Sequence, residues 1–125
     1  KMLGDSQAGI ADHTNLLKAL IANQGEKVSK EHCKGMEGLV AEALKHTIED
    51  GPDEGPLLDA SIIAQYQRMT HYGITGIGTV AAFCKALKLK DDNMQLRAAV
   101  KELYVADELM TELAEAAVNE DTAAE

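Results

Sequence analysis

The sequence predicts an all-α fold, a bundle of long antiparallel helices. Three observations carry this. Apolar residues recur at three- and four-residue steps in four segments, the period of a helix with one buried face. Nowhere is there the sustained alternation that a half-buried strand needs. The apolar material is aliphatic: hydrophobic residues make up 46% of the chain but aromatics only 3%, with no Trp and a single Phe, Phe83. Such a core is built from Leu, Ile, Val, Ala and Met, and Leu, Ala and Met favour helices. The 125 residues are enough for one domain, and are read here as one, 1–125.

The first segment runs from about Ser6 to Asn23, with Ile10, Leu16, Leu17, Leu20 and Ile21 on its apolar side. Gly25 stops it, since glycine accepts the left-handed turn after a helix. The second, Lys30 to Glu49, carries Met36, Leu39, Val40, Ala43 and Leu44, with Ser29 as its N-cap. Residues 51–56, Gly-Pro-Asp-Glu-Gly-Pro, cannot continue a helix and form a loop inside the domain. The third segment, Leu57 to Leu87, steps through Leu58, Ile62, Tyr66, Met69, Ile77, Val80, Cys84 and Leu87. Inside it, Gly73, Gly76 and Gly78 leave two readings. The glycines break the helix, at about 1 kcal/mol each against Ala, or the helix stays whole because a neighbour packs closely on the glycine face. Asp91, Asp92 and Asn93 cap the fourth segment, Asn93 to Val118. Val100, Leu103, Met110 and Leu113 point inward on it, with a second inward line of Ala99, Glu102, Ala106, Leu109 and Leu113. Residues 119–125 form a frayed acidic tail.

The net charge of −9 opposes phosphate backbones and anionic lipid, so nucleic acid and membrane surfaces are excluded as partners. No apolar run approaches the roughly 20 residues of a membrane span. With no signal peptide in view, the chain reads as cytoplasmic. It begins at Lys1 rather than Met, which reads as a trimmed or processed N-terminus. Cys33 and Cys84 share no metal-binding or redox spacing and are expected as two free, buried thiols in a reducing compartment.

Each candidate constellation has a plainer counterpart. The order Gly73-x-x-Gly76-x-Gly78 follows no strand and opens no helix, so it is not a phosphate loop. Glu42 and His46 lie four apart and can reach one metal, but no Glu-x-x-His pair of the di-iron type occurs. His46 also suits the end of a helix, where an imidazolium meets the dipole. His71 can be a ligand, a base or a satisfied interior histidine; general-base work needs an orienting partner, and positions 67, 68, 74 and 75 hold no acid. Glu102 sits on a line otherwise made of Ala and Leu, where an inward carboxylate must be paired, protonated or metal-bound unless it reaches out at the edge. Asp107 is expected to be solvated.

Three stretches carry a family resemblance: Cys33-Lys34-Gly35-Met36-Glu37-Gly38-Leu39, then Asp59 to Thr79, then Leu103 to Ala114. They resemble the YciE/YciF family of bacterial ferritin-like proteins, with matches at Asp59, Ile63, Ala64, Gln67, His71, Tyr72, Ile74, Gly76, Gly78 and Thr79, and on through Lys85-Ala86-Leu87. The resemblance implies a ferritin-like bundle, often dimeric, tied to bacterial stress responses. It also implies that the glycine run is helical. Two family carboxylates fall at Thr70 and Gly73, the paired acids of the last helix at Lys101 and Glu102, and an upstream acidic stretch near Ala8 to Ile10. The family's first helix has no counterpart before Lys1.

The expectation is therefore a non-enzymatic helical protein that self-associates into a homo-oligomer or binds a helical protein partner, with no cofactor. The alternative is a di-metal carboxylate protein holding iron or manganese through His71, Glu102 and Glu42.

Overall fold

The computed structural model describes residues 1–124, with side chains at all of them except 117, 120, 121 and 122. Every element is helical, and among the described residues there is no strand. The chain divides into two compact units at the boundary between His32 and Cys33.

The first unit holds helix α1, Met2–Asn23. It begins four residues before the expected start, with Asp5 placed in the first turn where the helix dipole favours a carboxylate. Its end is a Schellman motif. Gly25 takes φ 76°, its N–H reaches Ala22 O at 2.9 Å, and Glu26 N–H reaches Ile21 O at 3.3 Å.

The second unit begins at Cys33, the N-cap of α2, Lys34–Leu44. The helix thus starts four residues later than the expected Lys30. Ser29 does not cap it; its Oγ accepts the Glu31 N–H at 3.0 Å in a local turn. The cap is the Cys33 sulfur, which accepts the Met36 N–H at 3.5 Å. The expected span to Glu49 holds only because the last turn widens to π geometry over Lys45–Glu49. Ser61 Oγ donates to the His46 carbonyl there at 3.2 Å. Gly51 passes so close that a Cβ would lie 2.5 Å from the same oxygen, which is why only glycine fits.

Helix α3, Pro56–Ala86, is one unbroken 31-residue helix with Pro at its first position and Gly55 at φ 100° before it. The glycine run is helical, but not because a neighbour crowds it. A Cβ on Gly76 or Gly78 would meet no heavy atom within 4 Å, and one on Gly73 only Leu103 Cδ1 at 3.8 Å. The packing on either side of the run holds the helix, and the glycine face stays open.

Helix α4, Lys90–Leu113, follows after three residues and packs along α3. Asp91 and Asp92 lie within its first turn rather than capping it, and no side chain caps it. Asn93 instead donates from Nδ2 to the Ala81 carbonyl at 2.6 Å, tying the two helices together. The reversal between them is a second Schellman turn, with Lys88 at φ 60° and Leu89 N–H on Cys84 O at 2.9 Å. A π turn, Ala114–Val118, leads into α5, Asn119–Ala124, where a frayed tail was expected; residue 125 lies outside the described residues.

The core of this unit lies between α3 and α4: Ile63, Ile74, Ala81 and Cys84 from one side, Leu96, Ala99, Leu103 and Met110 from the other. The inward line of α4 is therefore 96-99-103-110. Of the residues expected inward, Leu103, Met110 and Ala99 are buried, Val100 and Ala106 are half-buried, and Glu102, Leu109 and Leu113 are exposed. α2 and the π turn that ends it pack on α3, with Met36, Leu39 and Ala43 of the helix and Thr47 of the turn half-buried. No helix of the described residues is long and apolar enough to cross a membrane.

Candidate functional site

Two polar contacts meet at the middle of α3. The first joins α3 to α4. His71 Nε2 stands 2.9 Å from Asp107 Oδ2, the imidazole N–H donating to the carboxylate. One turn earlier, Gln67 Nε2 donates to Thr111 Oγ1 at 2.8 Å and to the Asp107 carbonyl at 3.3 Å. The Tyr104 ring meets the His71 ring edge to face, with centroids 6.4 Å apart. Asp107 was expected in solvent. Its side chain is only 17% exposed, and its second oxygen, Oδ1, is buried without a hydrogen-bond partner. A carboxylate oxygen in that position carries a desolvation cost that its imidazole partner offsets through the other oxygen.

The second contact joins α2 to α3. The Cys33 sulfur lies 3.1 Å from the Tyr72 hydroxyl. Cys33 is exposed, contrary to the expected burial, whereas Cys84 is buried; neither is in a disulfide. The Tyr72 hydroxyl and then the Met36 N–H stabilise the thiolate and lower the Cys33 pKa below the ordinary thiol value, while the same contact raises that of Tyr72. Gly35 makes this approach possible: a Cβ there would collide with the Tyr72 hydroxyl and lie 2.9 Å from its Cζ.

Between these contacts runs an open groove of about 670 Å³, lined by Leu39, Arg68, His71, Tyr72, Thr75, Gly76 and Thr79. Its surface is mostly apolar, and Arg68 and His71 contribute its nitrogen-bearing side chains.

The expected metal ligands are dispersed. Glu42 pairs with His46 along α2, Oε2 to Nε2 at 3.0 Å. His71 pairs with Asp107, and Glu102 is exposed on α4. Among the described residues no three His, Cys, Asp or Glu side chains form a group able to hold a metal ion. Thr70, at one family carboxylate position, is buried in the core. Asp107 and Cys33 are the residues that sequence reasoning missed. The spacing Leu103-Asp107-Met110 follows the inward line of α4, and Cys33 opens the Cys-Lys-Gly-Met stretch one residue before a helix begins.

The fold and these contacts define an all-α helical-bundle protein whose polar residues clasp its helices together. The chain belongs to the DUF892 family, a domain of unknown function whose model matches residues 1–123. It is 30% identical over 88 residues to Protein YciF of Escherichia coli (strain K12), an alignment covering 70% of this chain and 52% of that protein. The chain thus spans about half the length of the curated relative it matches. No solved structure matches it.

Proposed function

We propose that this chain is a ferritin-like helical scaffold that works by packing against other helices rather than by chemistry, in a role connected with bacterial stress. One observation carries the reading: each helix from α2 to α4 presents a second apolar line to solvent. On α2 and the π turn that ends it the line is Val40, Leu44 and Ile48, on α3 and its C-cap Val80, Phe83 and Leu87, and on α4 Met94, Val105, Leu109 and Leu113. The steps within each group are three or four residues, or eleven from Met94 to Val105, all of which return to the same side of a helix, so these are faces rather than scattered side chains. Apolar faces of this kind on a surface otherwise rich in charge are sites for a partner. The test combines sedimentation equilibrium over a wide concentration range with binding of an apolar dye. Association or dye binding is expected. A strictly monomeric protein that binds no dye overturns the reading.

The second reading, iron or manganese held by carboxylates, is favoured by the orphaned Asp107 Oδ1 and by Glu102, which interrupts the outer apolar line of α4. A di-metal site takes about four to six protein ligands. His71 and Asp107 supply two, and no third His, Cys, Asp or Glu joins them among the described residues, so one chain does not fit the metal pair. The reading then requires ligands shared between copies. Metal content per chain, measured by plasma mass spectrometry after growth with both metals, checks it: two ions per chain supports it and metal-free protein ends it.

A further inference from the structure

We infer that the cleft between α3 and α4 at Arg97 and Lys101 is a binding site for a small organic phosphate. The inference goes beyond the scaffold reading and does not rest on it.

The sequence sets these two residues apart. The chain has 12 Lys and Arg residues against 21 Asp and Glu, so a cation on it has acids to spare. On a helix such a partner stands three or four residues away. For Arg97 those positions hold Asn93, Met94, Val100 and Lys101; for Lys101 they hold Arg97, Ala98, Tyr104 and Val105. No acid is among them. The two cations are each other's neighbours instead, one turn apart, and a like-charged pair at that spacing destabilises a helix. An anion held by both turns the repulsion into attraction.

The fold gives that anion a place. Arg97, Val100, Lys101 and Tyr104 recur at three- and four-residue steps along α4, and with Gly78 and Ala81 of α3 they line a cleft of about 340 Å³. Gly78 leaves its wall open: a Cβ there would meet no heavy atom within 4 Å. Ala81 is buried where the two helices touch.

The lining side chains select the ligand. A guanidinium brings five N–H donors, an ammonium three and a phenol one. None of the six residues is Asp, Glu, Asn or Gln, so the Tyr104 oxygen is the only side-chain acceptor that the lining offers. The complement is a group made of acceptors and carrying two negative charges. A phosphate monoester is such a group, a near-dianion at neutral pH, and a guanidinium fork matches its oxygens. A carboxylate brings one charge and leaves the second cation uncompensated. The volume of about 340 Å³ lies at the small end of the roughly 300–1,000 Å³ range of ligand pockets, which is room for a phosphate and a short carbon skeleton against Val100 and Ala81. The net charge of −9 does not oppose a ligand of this size, because exposed charges more than about 8 Å away are screened at physiological salt. The other arginine of the chain makes no second site of this kind. Arg68 donates to Gln65 Oε1 at 3.2 Å, and the His71 imidazole that shares its groove is held by the Asp107 carboxylate. Arg97 and Lys101 are exposed, so the affinity is modest, with Kd in the range of about 0.1–1 mM.

The test is isothermal titration calorimetry of the full chain at low ionic strength and about pH 8, where a phosphate monoester is doubly charged. The probes are phenyl phosphate and inorganic phosphate. Phenyl phosphate is expected to bind once per chain and at least threefold more tightly than inorganic phosphate. Equal binding of the two overturns the ester and assigns the cleft to the free ion. Arg97→Gln and Lys101→Gln should each weaken phenyl phosphate at least fivefold, with helix content retained by circular dichroism. Arg68→Gln removes the same charge outside the cleft and should change Kd by less than twofold. Gly78→Leu keeps both cations and fills the space between the helices, and should weaken binding as much as loss of either cation. A wild-type chain that binds neither probe overturns the site. So does an equal loss on Arg68→Gln, which would make the binding one of overall charge, and so does unchanged binding in Gly78→Leu, which would place the anion outside the cleft.

Discussion

Replacing Gly76 by alanine is expected to stabilise the folded monomer. Gly76 sits in the interior of α3, ten residues from its C-terminal end, and a Cβ there meets nothing within 4 Å. Glycine loses more backbone freedom on entering a helix than alanine does, so the exchange is worth about 1 kcal/mol with no clash to offset it. For a domain of this size that raises Tm by roughly 3–6 °C. Gly78 is equally open, and because neither new methyl has a neighbour the two gains add to about 2 kcal/mol. Gly35 supplies the contrast. Its substitution by alanine brings the same propensity gain but drives the Tyr72 ring away from Cys33, which forfeits a hydrogen bond worth about 1 kcal/mol, so the net effect is near zero. The assay is urea unfolding followed by circular dichroism, with both chains at the same protein concentration. If Gly76→Ala unfolds at lower urea than wild type with an unchanged slope, the glycine face is not open and the reasoning fails.

Four further outcomes follow from the same structure. His71→Ala strands the half-buried Asp107 carboxylate and should cost about 1–3 kcal/mol; adding Asp107→Ala should recover part of that loss, and strict additivity in a double-mutant cycle would show that the pair is not coupled. Because the Cys33 pKa is lowered, its alkylation by iodoacetamide should rise with pH through a midpoint below that of an ordinary thiol; Tyr72→Phe removes the largest cause and should move the midpoint upward. Lys88 holds a left-handed conformation that costs an L-residue about 1–2 kcal/mol; Lys88→Gly relieves it and should stabilise the chain by roughly 0.5–1 kcal/mol after the added freedom of the unfolded glycine is set against it. Leu96 is 1% exposed at the centre of the α3–α4 core, so Leu96→Ala leaves a cavity and should cost about 2–5 kcal/mol in the same denaturation assay.

The helices themselves were legible in the chain. The three- and four-residue apolar rhythm located all four long segments, Gly25 marked the end of the first, and the Gly-Pro cluster at 51–56 marked the turn before the third. These are local signals: each depends on neighbours within a turn or two, which any reader of the sequence can see. The continuity of α3 through Gly73, Gly76 and Gly78 was not decided by propensity, because about 1 kcal/mol per glycine is small beside the packing of 31 residues against α2 and α4. Family resemblance supplied that answer, but not its reason, since the glycine face turned out open. What only the tertiary structure decided is which side chains meet. His71 has no acid within one turn on its own helix; its partner is 36 residues away on α4, and the register between two helices is set by the summed packing of both faces. The same register turns Asp107 inward, where solvent was expected, and leaves Glu102 at the outer edge, one of the two outcomes open to it in the sequence. A helix with apolar residues on two faces does not say which one the core takes, and here the 96-99-103-110 line won because it is the one that meets α3.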